Sequence, residues 1–114
     1  IKDHLKSNVL DLSGSVSLRQ MAAICAKSDL VICNDGGPLH IAVASKAKTV
    51  SIFGPVDEKV YGPYPYGNHL VITEKVTCRP CYQNFRFPGC NYEIQCLKKL
   101  TPDKVFAACQ KILG

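Results

Sequence analysis

A chain of 114 residues, 46% hydrophobic and 20% charged, has the balance of one folded domain and is long enough to bury a core without staples. No apolar run approaches the ~20 residues that cross a bilayer. Fourteen Lys and Arg against nine Asp and Glu give a formal charge of +5, but the cations are scattered from Lys2 to Lys111. The clustering and interleaved aromatics of a nucleic-acid stripe are missing, while a mild positive field suits anionic ligands. The chain opens at Ile1 without a methionine, as expected of a fragment or processed form, so targeting segments cannot be judged from it.

In chain order, Asn8–Leu12 reads as a short strand and Ser13-Gly14-Ser15 as a turn. Ser17-Leu18-Arg19-Gln20 is a capping box that opens a helix. Leu18, Met21, Ala22 and Cys25 recur at helical spacing and mark its buried face, and the helix stops near Ala26–Ser28. Leu30–Cys33 is a continuous apolar run that suits a strand covered on both faces. Asn34–Gly37 is a tight turn, with Gly37 as the expected cap and Pro38 at the first position of a helix running to about Ser45. Thr49–Phe53 and His69–Thr73 read as further strands. Between them, Gly54-Pro55 is a breaker, and the Gly- and Pro-rich stretch Tyr61–Gly67 cannot be regular structure. Thr101-Pro102-Asp103 opens a last helix whose apolar face is Val105, Phe106, Cys109, Ile112 and Leu113. No internal repeat or low-complexity tract interrupts the pattern.

Strands alternating with helices predict an α/β fold, a Rossmann-like parallel sheet flanked by helices. In such sheets ligands bind beyond the carboxyl ends of the strands. The turns after Cys33 and Phe53 both lie at such ends, so Asp35–His40 and Gly54–Tyr66 are expected to share one rim.

The chemistry of Asp35-Gly36-Gly37-Pro38-Leu39-His40 follows from its position. Two glycines let backbone approach a ligand closely, and the helix start offers free N–H groups and a positive partial charge, together a phosphate site. The His40 side chain points back toward that helix end and can donate to a phosphate oxygen. Asp35 would repel phosphate but can accept from sugar hydroxyls beside it. Taken locally, an ordinary turn, cap and helix histidine is at least as economical, and the spacing is neither a full dinucleotide fingerprint nor a P-loop.

The stretch Ser28–Ala42, containing Asn34-Asp35-Gly36-Gly37-Pro38-Leu39-His40, resembles the signature of glycosyltransferase family 9, the heptosyltransferases of lipopolysaccharide core assembly. Thr49–Val56, Tyr61–Tyr64, the Cys-x-x-Cys region and Leu100–Val105 continue the resemblance in order, over roughly Asn8 to Leu113. The resemblance implies that residues 1–114 are part of the carboxyl-terminal, nucleotide-sugar-binding half of a two-domain GT-B enzyme. It implies that Asp35 contacts the donor sugar of ADP-heptose or a related donor, Gly36 and Gly37 its diphosphate, and His40 a phosphate. It further implies inverting transfer to an acceptor hydroxyl, with no metal required for catalysis.

The resemblance also implies a cytoplasmic parent, with room for peripheral association at the cytoplasmic face of the inner membrane, and a lipopolysaccharide core acceptor. Two departures stand out. The family often carries Thr or Ser where this chain has Gly36. The amino-terminal domain, which binds the acceptor and supplies the general base, has no counterpart here, nor has the first strand of the donor domain with its Gly-rich turn and basic residue. No catalytic residue is therefore expected in these residues, and the isolated chain is expected to be inactive.

Seven cysteines is a high, odd number. Cys25, Cys33 and Cys109 lie in apolar segments and read as small buried hydrophobes. Cys78, Cys81, Cys90 and Cys96 cluster in a loop spanning residues 75–99, spaced x2, x8 and x5. They could hold one structural zinc, form two disulfides, or stay unlinked, with zinc and disulfides weighing equally. No histidine lies among them to activate a nucleophile. Tyr61, Tyr64 and Tyr66 on the rim are expected to pack against the sheet edge before serving a ligand. Asp57 and Glu58 read as helix-start acids. Two other readings stay open: a non-enzymatic Rossmann-like binding module with a metal-stabilised cysteine loop, and a metal-dependent redox protein.

Overall fold

The computed structural model describes residues 7–64 and 67–114. Three strands, β1 (Val31–Asn34), β2 (Thr49–Ile52) and β3 (His69–Ile72), form a parallel sheet in the order β1-β2-β3. The register aligns Val31 with Thr49 and His69, and Cys33 with Ser51 and Val71. Parallel neighbours require crossovers. Helix α2 (Gly37–Ala44) lies between β1 and β2, and the one-turn helix α3 (Glu58–Tyr61) between β2 and β3. Helix α1 (Leu18–Lys27) precedes the sheet. One-turn helix α4 (Gln95–Lys98) and α5 (Pro102–Leu113) follow it. The expected α/β, Rossmann-like class is what the chain adopts.

Local chemistry sets the helix starts. Ser17 Oγ accepts from the Gln20 N–H while Gln20 Oε1 accepts from the Ser17 N–H, closing the capping box. Asp57 caps α3 through the Lys59 N–H, and Thr101 caps α5 through the Lys104 N–H. A Lys104–Glu74 ion pair ties the start of α5 to the segment after β3.

Period-two alternation divides the sheet. On one face Val31 joins Cys25, Ala42, Ala47 and Met21, so α1 and α2 pack together over β1. Beside this, Cys33 and Val71 pack against Leu39, Val43 and Phe53, with Val56 and Tyr61 at the margin. On the other face α5 packs against β2 and β3, and Val50 is fully buried. Two polar side chains, Thr49 and Ser51, are also fully buried. Thr49 Oγ1 is hydrogen-bonded to His69 Nδ1 at 2.9 Å, and Ser51 Oγ reaches the Leu70 carbonyl at 3.5 Å, so neither is orphaned.

Several sequence expectations are corrected here. Asn8–Leu12 forms no strand; Val9 and Leu10 are exposed and pair with no strand among the described residues. Without a neighbouring strand among the described residues the segment has no ladder to satisfy its backbone. Leu18 points away from the α1 core at 72% exposure, leaving Met21 and Cys25 as the packed positions. Among the described residues β1 is covered on one face only: Ile32 is half exposed because α5 packs on β2 and β3. Within α5, Phe106 and Leu113 are exposed while Cys109 is buried.

Candidate functional site

The predicted rim exists. Asp35, Gly36, Gly37 and His40, beyond the carboxyl end of β1, and Val56 and Tyr61, beyond the end of β2, line one pocket of about 430 Å³. Its position follows from topology, because both turns leave adjacent parallel strands in the same direction. The Asp35 N–H donates to the Ile52 carbonyl at 3.1 Å, extending the β1–β2 ladder by one step into the rim. That bond fixes the backbone on which the site is built.

The cap of α2 is Gly36, one residue earlier than expected, and Pro38 falls at the second helical position. The cause is the Gly36 backbone, with φ 138° and ψ −171°, a region open essentially to glycine alone. The departure from Thr or Ser at this position thus comes with a conformation those residues do not readily adopt. No side chain caps α2. A Cβ built on Gly37 would meet nothing within 4 Å, so its backbone faces open space. An uncapped, sterically open helix start leaves donors and the positive dipole end available to an anion. His40 is exposed at the fourth helical position, and Asp35 is half-buried. The four sequence-predicted ligand-binding residues therefore share one pocket.

Two further lining residues, Tyr82 and Phe85, come from the cysteine-rich segment, which sequence reasoning left out of the site. Gln83 and Arg86 pair in both directions, at 3.1 and 2.9 Å, across a tight turn whose central residues Asn84 and Phe85 have φ of 49° and 58°. Positive φ at both central positions is the mirror-image turn of hairpins. Asn tolerates it; a bulky Phe rarely does. Phe85 is 79% exposed, yet its ring meets Tyr61 edge-on at 6.3 Å, and Tyr82 meets Tyr61 the same way at 5.9 Å. Asn84 is the one sequence signal of such a turn. Tyr61 packs as expected and also lines the pocket, Tyr64 is exposed at 80%, and Tyr66 lies outside the described residues.

The segment is pinned to the rim by Arg79. Its Nε donates to the Gly54 carbonyl at 2.7 Å, and one terminal nitrogen donates to the Val56 carbonyl at 3.0 Å and to Glu58 Oε2 at 2.7 Å. Burial pushes the Glu58 carboxyl up, but the Arg79 hydrogen bond and charge, helped by backbone and Lys59, hold it below its ordinary value. Glu58 is thus more than a helix-start acid. The Cys81 and Tyr82 N–H groups both donate to the Pro55 carbonyl. Leu97 packs so closely on Gly54 that a Cβ there would lie 2.8 Å from Leu97 Cγ.

The remaining cysteines behave as their neighbours dictate. Cys25 and Cys109 are buried, and Cys33 is half-buried, its thiol pushed up by burial and then by Cys25. Cys78, Cys81, Cys90 and Cys96 carry no disulfide and all line a second cavity of about 510 Å³. As placed, no group of three or more His, Cys, Asp or Glu side chains among the described residues is arranged to hold a metal ion. No helix among the described residues is long and apolar enough to cross a membrane.

Comparison with known proteins places this chain in a family. The family described as glycosyltransferase family 9 (heptosyltransferase) matches residues 1–88. The chain is 33% identical over 104 residues, 91% of its length, to lipooligosaccharide heptosyltransferase 2 of Campylobacter jejuni subsp. jejuni serotype O:6. It is 31% identical over 105 residues, 92% of its length, to the protein of the same name from serotype O:2. The chain spans about a third of the length of these relatives, 32% of each. No solved structure matches it. The chain belongs to glycosyltransferase family 9, the heptosyltransferase family.

Proposed function

We propose that the chain is part of the carboxyl-terminal, donor-binding half of an inverting GT-B glycosyltransferase. Its full-length parent transfers heptose from ADP-heptose to a hydroxyl of a lipopolysaccharide core acceptor. The observation that carries this reading is the convergence of Asp35, Gly36, Gly37 and His40 in one pocket at the carboxyl ends of β1 and β2, in a chain of this family. The names of the two Campylobacter relatives support heptose and a lipooligosaccharide acceptor.

In this reading the donor diphosphate lies against the open start of α2, where the Gly36 and Gly37 backbone and the His40 ring donate to its oxygens. Asp35 accepts from hydroxyls of the adjoining sugar. As the bond from the anomeric carbon to the diphosphate breaks, negative charge grows on the leaving oxygen. Fixed donors and the helix dipole stabilise that charge in place, with no reorganisation at the moment of reaction and without a metal. The base that deprotonates the acceptor hydroxyl belongs to the amino-terminal half, outside these residues, and the parent works in the cytoplasm or at the cytoplasmic face of the inner membrane.

The test is heptosyl transfer by the full-length parent. Removing one fixed donor to a developing charge typically costs about 10²–10³ in kcat, so His40→Ala is expected to lose activity on that scale, and Asp35→Asn to lose it with unchanged thermal stability. Wild-type kcat/KM in both folded variants contradicts the assignment.

A further inference from the structure

We propose that Cys78, Cys81, Cys90 and Cys96 bind one structural zinc ion as a tetrathiolate, and that this ion fixes the segment carrying Tyr82 and Phe85 over the rim pocket. Four cysteines separated by two, eight and five residues need not meet in a folded chain, yet all four line the same 510 Å³ cavity. None is paired in a disulfide. Phe87 and Leu97 line the cavity with them. Cys78-Arg79-Pro80-Cys81 has the two-residue spacing of a zinc knuckle.

Two further observations favour thiolates. The Ile94 N–H donates to Cys90 Sγ at 3.2 Å, a bond that stabilises the charged sulfur and orients it, as outer-shell partners of metal ligands do. Ile94 reaches that position with φ 57°, beside Glu93 at φ 53°. A β-branched residue in the left-handed region is a genuine outlier, and here it delivers the N–H to sulfur. The stretch from Lys75 to Lys99 also carries Arg79, Arg86 and Lys98 against Glu93 as its one acid. Arg79 pairs with Glu58 and Lys98 with Glu93, and the positive charge that remains on the stretch has the sign that favours a doubly negative zinc tetrathiolate.

The thiols as placed face the cavity without yet converging on a point suited to an ion. Zinc–sulfur bonds of about 2.3 Å require them to close inward. Residues 86–94 contain no helix or ladder strand to resist that movement, apart from the pairing of Arg86 with Gln83. The frame that must stay fixed is held independently, by Arg79 on Gly54, Val56 and Glu58 and by Leu97 on Gly54. Each bound thiol gives up its proton to solvent, and zinc keeps its oxidation state throughout, so no oxidant or reductant is needed.

The experiment is metal analysis of the full-length parent, expressed with zinc supplied and purified under reducing conditions. About one zinc per chain is expected, released by a thiol-blocking mercurial and absent from Cys90→Ser and Cys96→Ser variants. Because those variants could fail to fold, wild-type protein is also stripped and titrated with cobalt(II). The intensity of the sulfur-to-cobalt charge-transfer band counts the thiolates and is expected to give four. Substoichiometric zinc, iron with a visible cluster absorption, two disulfides by mass in the reduced preparation, or a cobalt spectrum without thiolate bands each overturns the proposal.

Discussion

Arg79 is where the cysteine-rich segment is fastened to the ligand rim, and replacing it tests that connection quantitatively. Arg79→Met keeps the apolar stem and removes three hydrogen bonds, to the Gly54 carbonyl, the Val56 carbonyl and Glu58 Oε2. Hydrogen bonds involving a charged group contribute about 1.5–3 kcal/mol each, but these do not sum. The Val56 carbonyl can be rehydrated at the rim, the Gly54 carbonyl belongs to a buried residue and is left without its donor, and Glu58 is 30% exposed in its side chain, against 11% for Arg79, so solvent screens part of the pair. The expected loss is about 2–4 kcal/mol, towards the value for breaking a buried pair because Glu58 is left without its partner.

Urea unfolding of the Arg79→Met chain is the assay, with a lowered midpoint and an unchanged slope showing a loss of native stability. A double-mutant cycle with Glu58→Gln isolates the ion pair, with an expected coupling of about 1–2 kcal/mol within the range for contacting residues. The acid limb gives a second reading. The Glu58 carboxyl is held below its ordinary value near 4.5, so its contribution is present above that pH and lost as pH falls through the lower folded value. Arg79→Met should flatten that part of the profile. A stability loss below about 0.5 kcal/mol, the level of an ordinary surface substitution, would refute the claim that Arg79 fastens the segment.

Three further perturbations probe separate parts of the structure. Burial holds His69 below its ordinary value near 6.5, so its neutral form, bonded to buried Thr49, is favoured on folding. That stability is present above about pH 6.5 and lost as pH falls through the folded value, and urea midpoints between pH 7.5 and 5 should fall less steeply in His69→Gln. Gly54→Ala drives a methyl into Leu97 and should cost about 1–3 kcal/mol by overpacking. Thermal melts should show most of that cost disappearing in a Leu97→Ala background. Phe85→Asn suits the left-handed turn better than Phe, so urea stability should hold or rise slightly while affinity for ADP-heptose falls as the ring leaves the pocket; equal affinity removes Phe85 from the site.

Features whose causes are local were legible in the sequence. The Ser17–Gln20 box, the Thr101-Pro102 start and the Asp57 cap each need only neighbours along the chain. The shared rim was legible too, because parallel connectivity alone carries the ends of β1 and β2 to one edge. What escaped depends on contacts between distant residues. Asn8–Leu12 has strand composition but no strand beside it among the described residues, and Ile32 and Leu18 sit in apolar patterns that no other described element covers. The α2 cap moved to Gly36 because a single backbone torsion entered a glycine-only region, which residue type permits but does not require. Tyr82 and Phe85 join the pocket through a mirror-image turn held by Arg79 and the Pro55 carbonyl, 21 to 25 residues back along the chain for the arginine contacts. Spacing carries no trace of that pinning.

The proposed function requires that the start of α2, flanked by Asp35 and His40, hold a nucleotide diphosphate. It is tested most directly by titration calorimetry of ADP and ADP-heptose against the 114-residue chain, with its fold checked by circular dichroism, beside the full-length parent. Saturable binding of both ligands is expected, weakened for both in His40→Ala and selectively for ADP-heptose in Asp35→Asn. Binding that is unchanged in both folded variants, or absent from the folded wild-type chain and its parent alike, would contradict the account.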